Sequence, residues 1–183
     1  MLRYFLLLPA SILMTLLAYV LAPVWARYAK PLNGWCNNGE YEAVEPRLTG
    51  WMRYLSTVDN SLLGDDGHKE RCKGEPQLVQ MRKWIQRNPA YTWEWEKLAA
   101  NITSDMKPEV SGDPWIKNRL NAREGYYFCN VGPYFNYKLI KHLWGDTALM
   151  LEFGWKLQGF AQRRETEGKA MYVFSVRLTA FNP

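Results

Sequence analysis

Ala148-Leu149-Met150-Leu151-Glu152-Phe153-Gly154-Trp155-Lys156-Leu157-Gln158 sets an apolar side chain at every second position. Leu149, Leu151, Phe153, Trp155 and Leu157 alternate with Met150, Glu152, Gly154 and Lys156. Successive side chains of a strand point to opposite faces, so a period of two over this length predicts a β-strand with one face buried. Met171–Phe181 repeats the pattern: Tyr172, Phe174, Val176 and Leu178 alternate with Val173, Ser175, Arg177 and Thr179.

Working outward, the charged run Gln162–Gly168 joins these two stretches as a hairpin loop. Tyr126–Val131 and Tyr134–Leu143 also alternate, separated by Gly132-Pro133, and Gly145-Asp146 makes the next turn. Together they predict an antiparallel β-meander of about four strands. Upstream the period changes. Leu78, Met81 and Ile85, joined by Val79 and Trp84, fall on one side of a helix over 76–87, with Pro76 suited to its first position. Asn88-Pro89 ends that helix, because the residue before proline avoids helical ψ. A second helix is expected over Tyr91–Ile102, a loop over Asp105–Pro114, and a short helix over Leu48–Leu55. The fold class is therefore α+β, with helices packed on the meander.

The N-terminus is a different material. Tyr4 to Ala26 contains no charge and is rich in leucine. About 20 apolar residues in a helix match the roughly 30 Å hydrocarbon layer of a bilayer. Tyr4, Trp25 and Tyr28 are placed as interfacial aromatics, with Arg3, Arg27 and Lys30 beyond them. Residues 1–26 are thus expected to be a transmembrane anchor, residues 27–47 a juxtamembrane linker punctuated by Pro31, Asn33-Gly34, Asn37-Asn38-Gly39 and Pro46, and residues 48–183 a small domain. Val24-Trp25-Ala26 loosely fits a signal-peptide cleavage site, but the apolar stretch is longer than the 7–15 residues of a typical cleaved signal. An uncleaved, single-pass anchor is the reading. The flanking charges are balanced and set no orientation.

The chain has 183 residues and a formal charge of +5, and only one of its basic residues, Arg3, precedes residue 27. A mildly basic domain suits contact with anionic headgroups but equally an ordinary soluble surface. Met81-Arg82-Lys83-Trp84 and Gln162-Arg163-Arg164 are basic, yet they form no sustained stripe, so nucleic acid is not the expected partner. Nine Trp, eleven Tyr and seven Phe make the chain rich in aromatics, which concentrate in cores, at interfaces and at headgroup level. Cys36, Cys72 and Cys129 are too few and too widely spaced for a disulfide framework.

Four short stretches are more distinctive together than singly: Thr57-Val58-Asp59-Asn60-Ser61-Leu62, Gly64-Asp65-Asp66-Gly67, Arg87-Asn88-Pro89-Ala90-Tyr91 and Phe153-Gly154-Trp155-Lys156-Leu157. In that order behind an apolar N-terminus, the sequence resembles a family of uncharacterised membrane-anchored proteins of tailed bacteriophages. The resemblance implies a phage-encoded accessory protein at the host membrane. It carries no activity over to any residue, and the linker containing Cys36 departs from it.

Among candidate sites, the acidic loop comes first. Asp59, Asp65, Asp66 and Glu70 could offer hard oxygen ligands to a divalent cation, the one cofactor the sequence suggests. Counted from Asp59 as a twelve-residue calcium loop, Gly64 and Glu70 fall at positions six and twelve, but Leu63 takes a position that needs an oxygen. Side-chain-to-backbone turns at Asp59 and Asn60 explain the same residues. His68 and Cys72 are four apart and would share a helix face as half of a zinc site, with Cys36, Cys129 or His142 required to complete it. A cysteine–histidine catalytic pair would draw on the same residues. No GxSxG, P-loop or GxGxxG motif is present.

The expected function is that of a membrane-anchored, non-enzymatic phage accessory protein at the host envelope, in the inner membrane, contacting the bilayer and a host envelope protein. The acidic loop and the hairpin 160–169 are the expected contact surfaces, because loops on a scaffold carry binding. A lysis protein oligomerising through its anchor, and a metal-dependent enzyme using residues 59–70, are the alternatives.

Overall fold

The computed structural model describes residues 1–28, 30–31, 46–55, 66–116 and 124–180. It is α+β, with a long apolar N-terminal helix, several short helices and a C-terminal antiparallel sheet. The chain falls into two compact units, one of Met1–Leu8 with Leu98–Pro183, the other of Pro9–Lys97. The helix α1 (Leu2–Val20) contributes its first turns to one unit and the remainder to the other.

In the unit Pro9–Lys97, α1 turns at Leu21 into α2 (Ala22–Tyr28). A two-residue ladder joins β1 (Lys30–Pro31) to β2 (Pro46–Arg47), so the ends of the linker are held side by side. Residues 32–45, with Cys36, lie outside the described residues. A 3₁₀ turn covers Gly50–Leu55, and α3 (Asp66–Cys72) and α4 (Gln77–Arg87) follow. Ala18, Ala22 and Ala26 pack with Leu48, Leu55, Met81, Ile85 and Ala90 into one core. Alanines four apart line one helical face and let a neighbouring helix approach closely.

The helix over 76–87 forms as expected, with two differences. Pro76 is the residue before the helix rather than its first, and Leu78 is exposed, the buried set being Gln80, Met81, Trp84 and Ile85. The Asn88-Pro89 stop is real, and the chain re-enters helix through Ala90, which is buried at φ 59°. Its N–H donates to the Leu55 carbonyl at 3.1 Å. The helix expected over 91–102 is shorter: one turn, α5 (Tyr91–Trp93), widens into a π turn at Glu94–Leu98 and gives way to β3 (Ala100–Ile102).

In the other unit the main sheet has five strands rather than about four. Its order is β4 (Pro108–Gly112), β5 (Gly125–Val131), β6 (Tyr134–Trp144), β7 (Thr147–Trp155), β9 (Tyr172–Ala180), all antiparallel. The extra strand is β4, from the segment expected to be a loop. Its Pro108 starts the strand at the sheet edge, where a missing ladder donor does no harm, and Gly112, at φ 80°, ends it. The charged connection between β7 and β9 contains a turn of helix, α6 (Gln158–Ala161), and β8 (Gly168–Ala170), which pairs with β3 apart from the main sheet.

The period of two is borne out on all four expected strands, but the buried face is the unexpected one. On β7 Ala148, Met150 and Glu152 are buried, while Leu149, Leu151 and Phe153 are only half-buried and Trp155 alone of the expected set on this strand is buried. On β9, Phe174, Val176 and Leu178 are exposed. Alternation fixes which residues share a face; what covers that face decides which set is buried.

Candidate functional site

The inner face of the sheet holds charge. Register aligns Tyr127, Lys138, Glu152 and Ser175 in one row across β5, β6, β7 and β9. Lys138 and Glu152 are both buried, with Nζ 3.6 Å from Oε1. Lys138 also donates to the Gln158 side-chain oxygen at 3.2 Å, and the Gln158 amide donates to the carbonyls of Pro114 and Ile116 at 2.7 and 3.2 Å. Residue α6-Gln158 thereby ties the ion pair to the loop after β4. Burial lowers the pKa of Lys138, and the Glu152 carboxylate opposes that shift. Burial pushes Tyr127 and Cys129 up, so the phenol and the thiol are both held neutral. Tyr127, Lys138 and Glu152 of this row are packed inside the unit. Its chemistry is that of a paired, desolvated charge.

The outer face is apolar. At one end, Phe135, Trp155 and Tyr172 surround the ring of Tyr4, with centroids 5.2, 5.7 and 4.7 Å from it. The Tyr4 hydroxyl donates to the Val173 carbonyl at 3.0 Å, and the Tyr172 hydroxyl donates to the Tyr4 carbonyl at 3.3 Å. The first turn of α1 is therefore part of this unit's core. Away from Tyr4 the face continues through Phe153 and Leu151 to the exposed residues of β9.

The helix α1 has the same two-sided character. Tyr4, Ser11 and Ala18, seven residues apart, are buried, and α2 extends the stripe with Ala22 and Ala26. Ser11 donates to the Glu94 carboxylate at 2.9 Å, and the Gln86 side chain donates to the Tyr19 carbonyl at 3.2 Å. Only 17% of the apolar window is buried, and Leu13, Leu16, Leu17 and Val20 stand exposed. The helix is long and apolar enough to cross a membrane, a property shared by signal sequences and by core helices.

Of the ligand set read from the sequence, Asp59 and Asp65 lie outside the described residues, as does the side chain of Asp66; Glu70 is exposed on α3. His68 and Cys72 do share a helix face, with Sγ 3.4 Å from Nε2; both are buried, and the His68 ring meets Trp84 at a steep angle. Among the described residues no three His, Cys, Asp or Glu side chains are grouped as a metal would need. Cys129 and His142 are not brought together: Cys129 pairs with Asn136 across the ladder, six residues from His142 along β6, about 20 Å at strand rise. The hairpin 160–169 borders a cavity of about 640 Å³ lined by Met106, Pro108, Val110 and Phe160 together with Lys107 and Arg163. Sequence reasoning missed the Tyr4 seat and the buried alanine stripe, although small residues four apart in a leucine-rich run are a packing signal.

No curated protein and no solved structure matches the chain. A model of a family of unknown function, DUF7338, matches residues 1–182, and the chain belongs to that family.

Proposed function

We propose that this chain is a membrane-associated interaction protein, a phage-encoded accessory factor at the host envelope, and that it keeps its N-terminal helix. The observation that carries the reading is the asymmetry of α1: a narrow stripe of Tyr4, Ser11 and Ala18 is buried, while Leu6, Leu13, Leu16 and Val20 are 56–70% exposed. Water disfavours that much contiguous apolar surface, at roughly 25 cal/mol per Å², and lipid does not. A narrow buried stripe of small and polar-tipped residues, with leucines open on the other sides, suits an apolar helix held in a bilayer. Cleavage after Ala26 would remove five buried side chains, which argues for retention. The phage and envelope parts of the reading rest on the sequence resemblance given above.

The test is fractionation of cells expressing the full chain. The protein is expected in the membrane pellet with an intact N-terminus by mass spectrometry. Leu13→Asp with Leu16→Asp alters only exposed positions and is expected to move folded protein to the soluble fraction. Wild-type protein that is soluble and monomeric overturns the proposal.

A further inference from the structure

We infer that the outer face of the five-stranded sheet is a second lipid-contacting surface, resting on a bilayer with anionic headgroups; this depends on the membrane reading of α1 and extends it to the sheet. Outward positions on β5, β6, β7 and β9 carry no carboxylate, and their one charged side chain is the exposed Lys141, which pairs with Glu124 before β5 at 3.0 Å. Leu139, Leu151 and Phe153 lead across the sheet to Phe174, Val176 and Leu178, which are 40, 56 and 60% exposed on the edge strand β9. The opposite edge is polar: register puts Glu109 and Ser111 of β4 on this same face. The face therefore has a direction, with β9 as the edge that enters apolar surroundings and β4 as the edge that stays in water.

Three observations favour a bilayer as occupant. The face is continuous with the seat of Tyr4, where α1 docks, and the same first turns present Leu2, Phe5 and Leu6 outward at 74, 59 and 70% exposure. Tyr126 and Trp144, amphipathic rings that settle at headgroup level, are exposed on β5 and at the end of β6. The only charge on these four strands' outward positions, Lys141, is neutralised by Glu124 at the sheet margin, so the face carries no net charge into an apolar phase. Burying Lys138 and Glu152 beneath the sheet while exposing Phe174, Val176 and Leu178 above it is the reverse of what water selects.

The test uses the full chain with vesicles of phosphatidylcholine and phosphatidylglycerol. Photoreactive benzoylphenylalanine in place of Val176 is compared with the same probe in place of Lys169, an exposed position on β8. Wild-type protein is expected to float with the vesicles, and the probe at 176 to give lipid adducts several-fold more often than at 169. Val176→Asp with Leu178→Asp is expected to weaken vesicle partition several-fold without changing the circular dichroism spectrum. If the wild type floats but the probe at 176 gives no lipid adduct, or links to a second copy or another protein, the sheet inference is overturned and the helix reading stands. Failure of the wild type to float removes the helix reading and this inference with it.

Discussion

The ring of Tyr4 stacks on that of Tyr172 with centroids 4.7 Å apart and planes 19° from parallel, and each residue accepts or donates a hydrogen bond at the other's strand or turn. An N-terminal aromatic is thus built into a sheet whose last strand lies at the other end of the chain. Tyr4→Ala should cost about 3–5 kcal/mol, as for other buried aromatics. Tyr4→Phe, which leaves the Val173 carbonyl without its donor, should cost about 1–3 kcal/mol. Denaturant unfolding of both variants reads the difference, and a Tyr4→Ala protein as stable as wild type would detach the helix from the sheet.

Gly154 packs its Cα against the backbone of β6. Its φ is 108°, and a Cβ there would overlap the Phe135 carbonyl oxygen. Backbone cannot yield as a flexible side chain can, so Gly154→Ala should destabilise by about 3 kcal/mol or more. The expected readout is loss of soluble folded protein, or a thermal midpoint lowered by many degrees.

The buried pair Lys138–Glu152 makes a prediction of sign. Lys138→Met alone strands a buried carboxylate and should cost about 3–5 kcal/mol, whereas Lys138→Met with Glu152→Leu should recover most of it. A double-mutant cycle in which the double variant is as unstable as the sum of the two singles would mean that the pair is not coupled.

Ala90 occupies the left-handed region, at a cost of roughly 1 kcal/mol for a residue with a Cβ. Ala90→Gly relieves that strain but loses a buried methyl worth about 0.8 kcal/mol, so stability should change little. Ala90→Val adds a branched side chain at a fully buried site and should cost about 3 kcal/mol or more. Equal tolerance of both substitutions, measured by thermal unfolding, would contradict the turn geometry.

Much of the fold was legible from local pattern. Alternation places strands at 126–131 and 134–143 and within 148–158 and 171–181, and Asn88-Pro89 fixes a helix end. The choice of buried face was not legible, because the residues that cover the two faces, Tyr4 on the outer and Gln158 on the inner, arrive from distant segments. Strand β4 was hidden by its own Pro108 and Gly112, which read as breakers in isolation but are permitted at an edge. The candidate metal loop stays untouched by the structure, since Asp59, Asp65 and the side chain of Asp66 lie outside the described residues. The apolar character of residues 4–26 was plain, whereas its buried stripe needed the spacing of Tyr4, Ser11, Ala18 and Ala22 to be read as a seam.

The Tyr4–Tyr172 contact also has an order in time. Leu2–Val20 leaves the ribosome before β9, and a separation of 168 residues divides the helix from its seat. At about 5–20 residues per second, translation of the intervening chain takes roughly 10–30 seconds. Throughout that interval the leucine-rich helix has no strand to dock on, and a nearby bilayer is the first apolar phase it can meet. The sheet, when it forms, closes on a helix that was made long before its last strand.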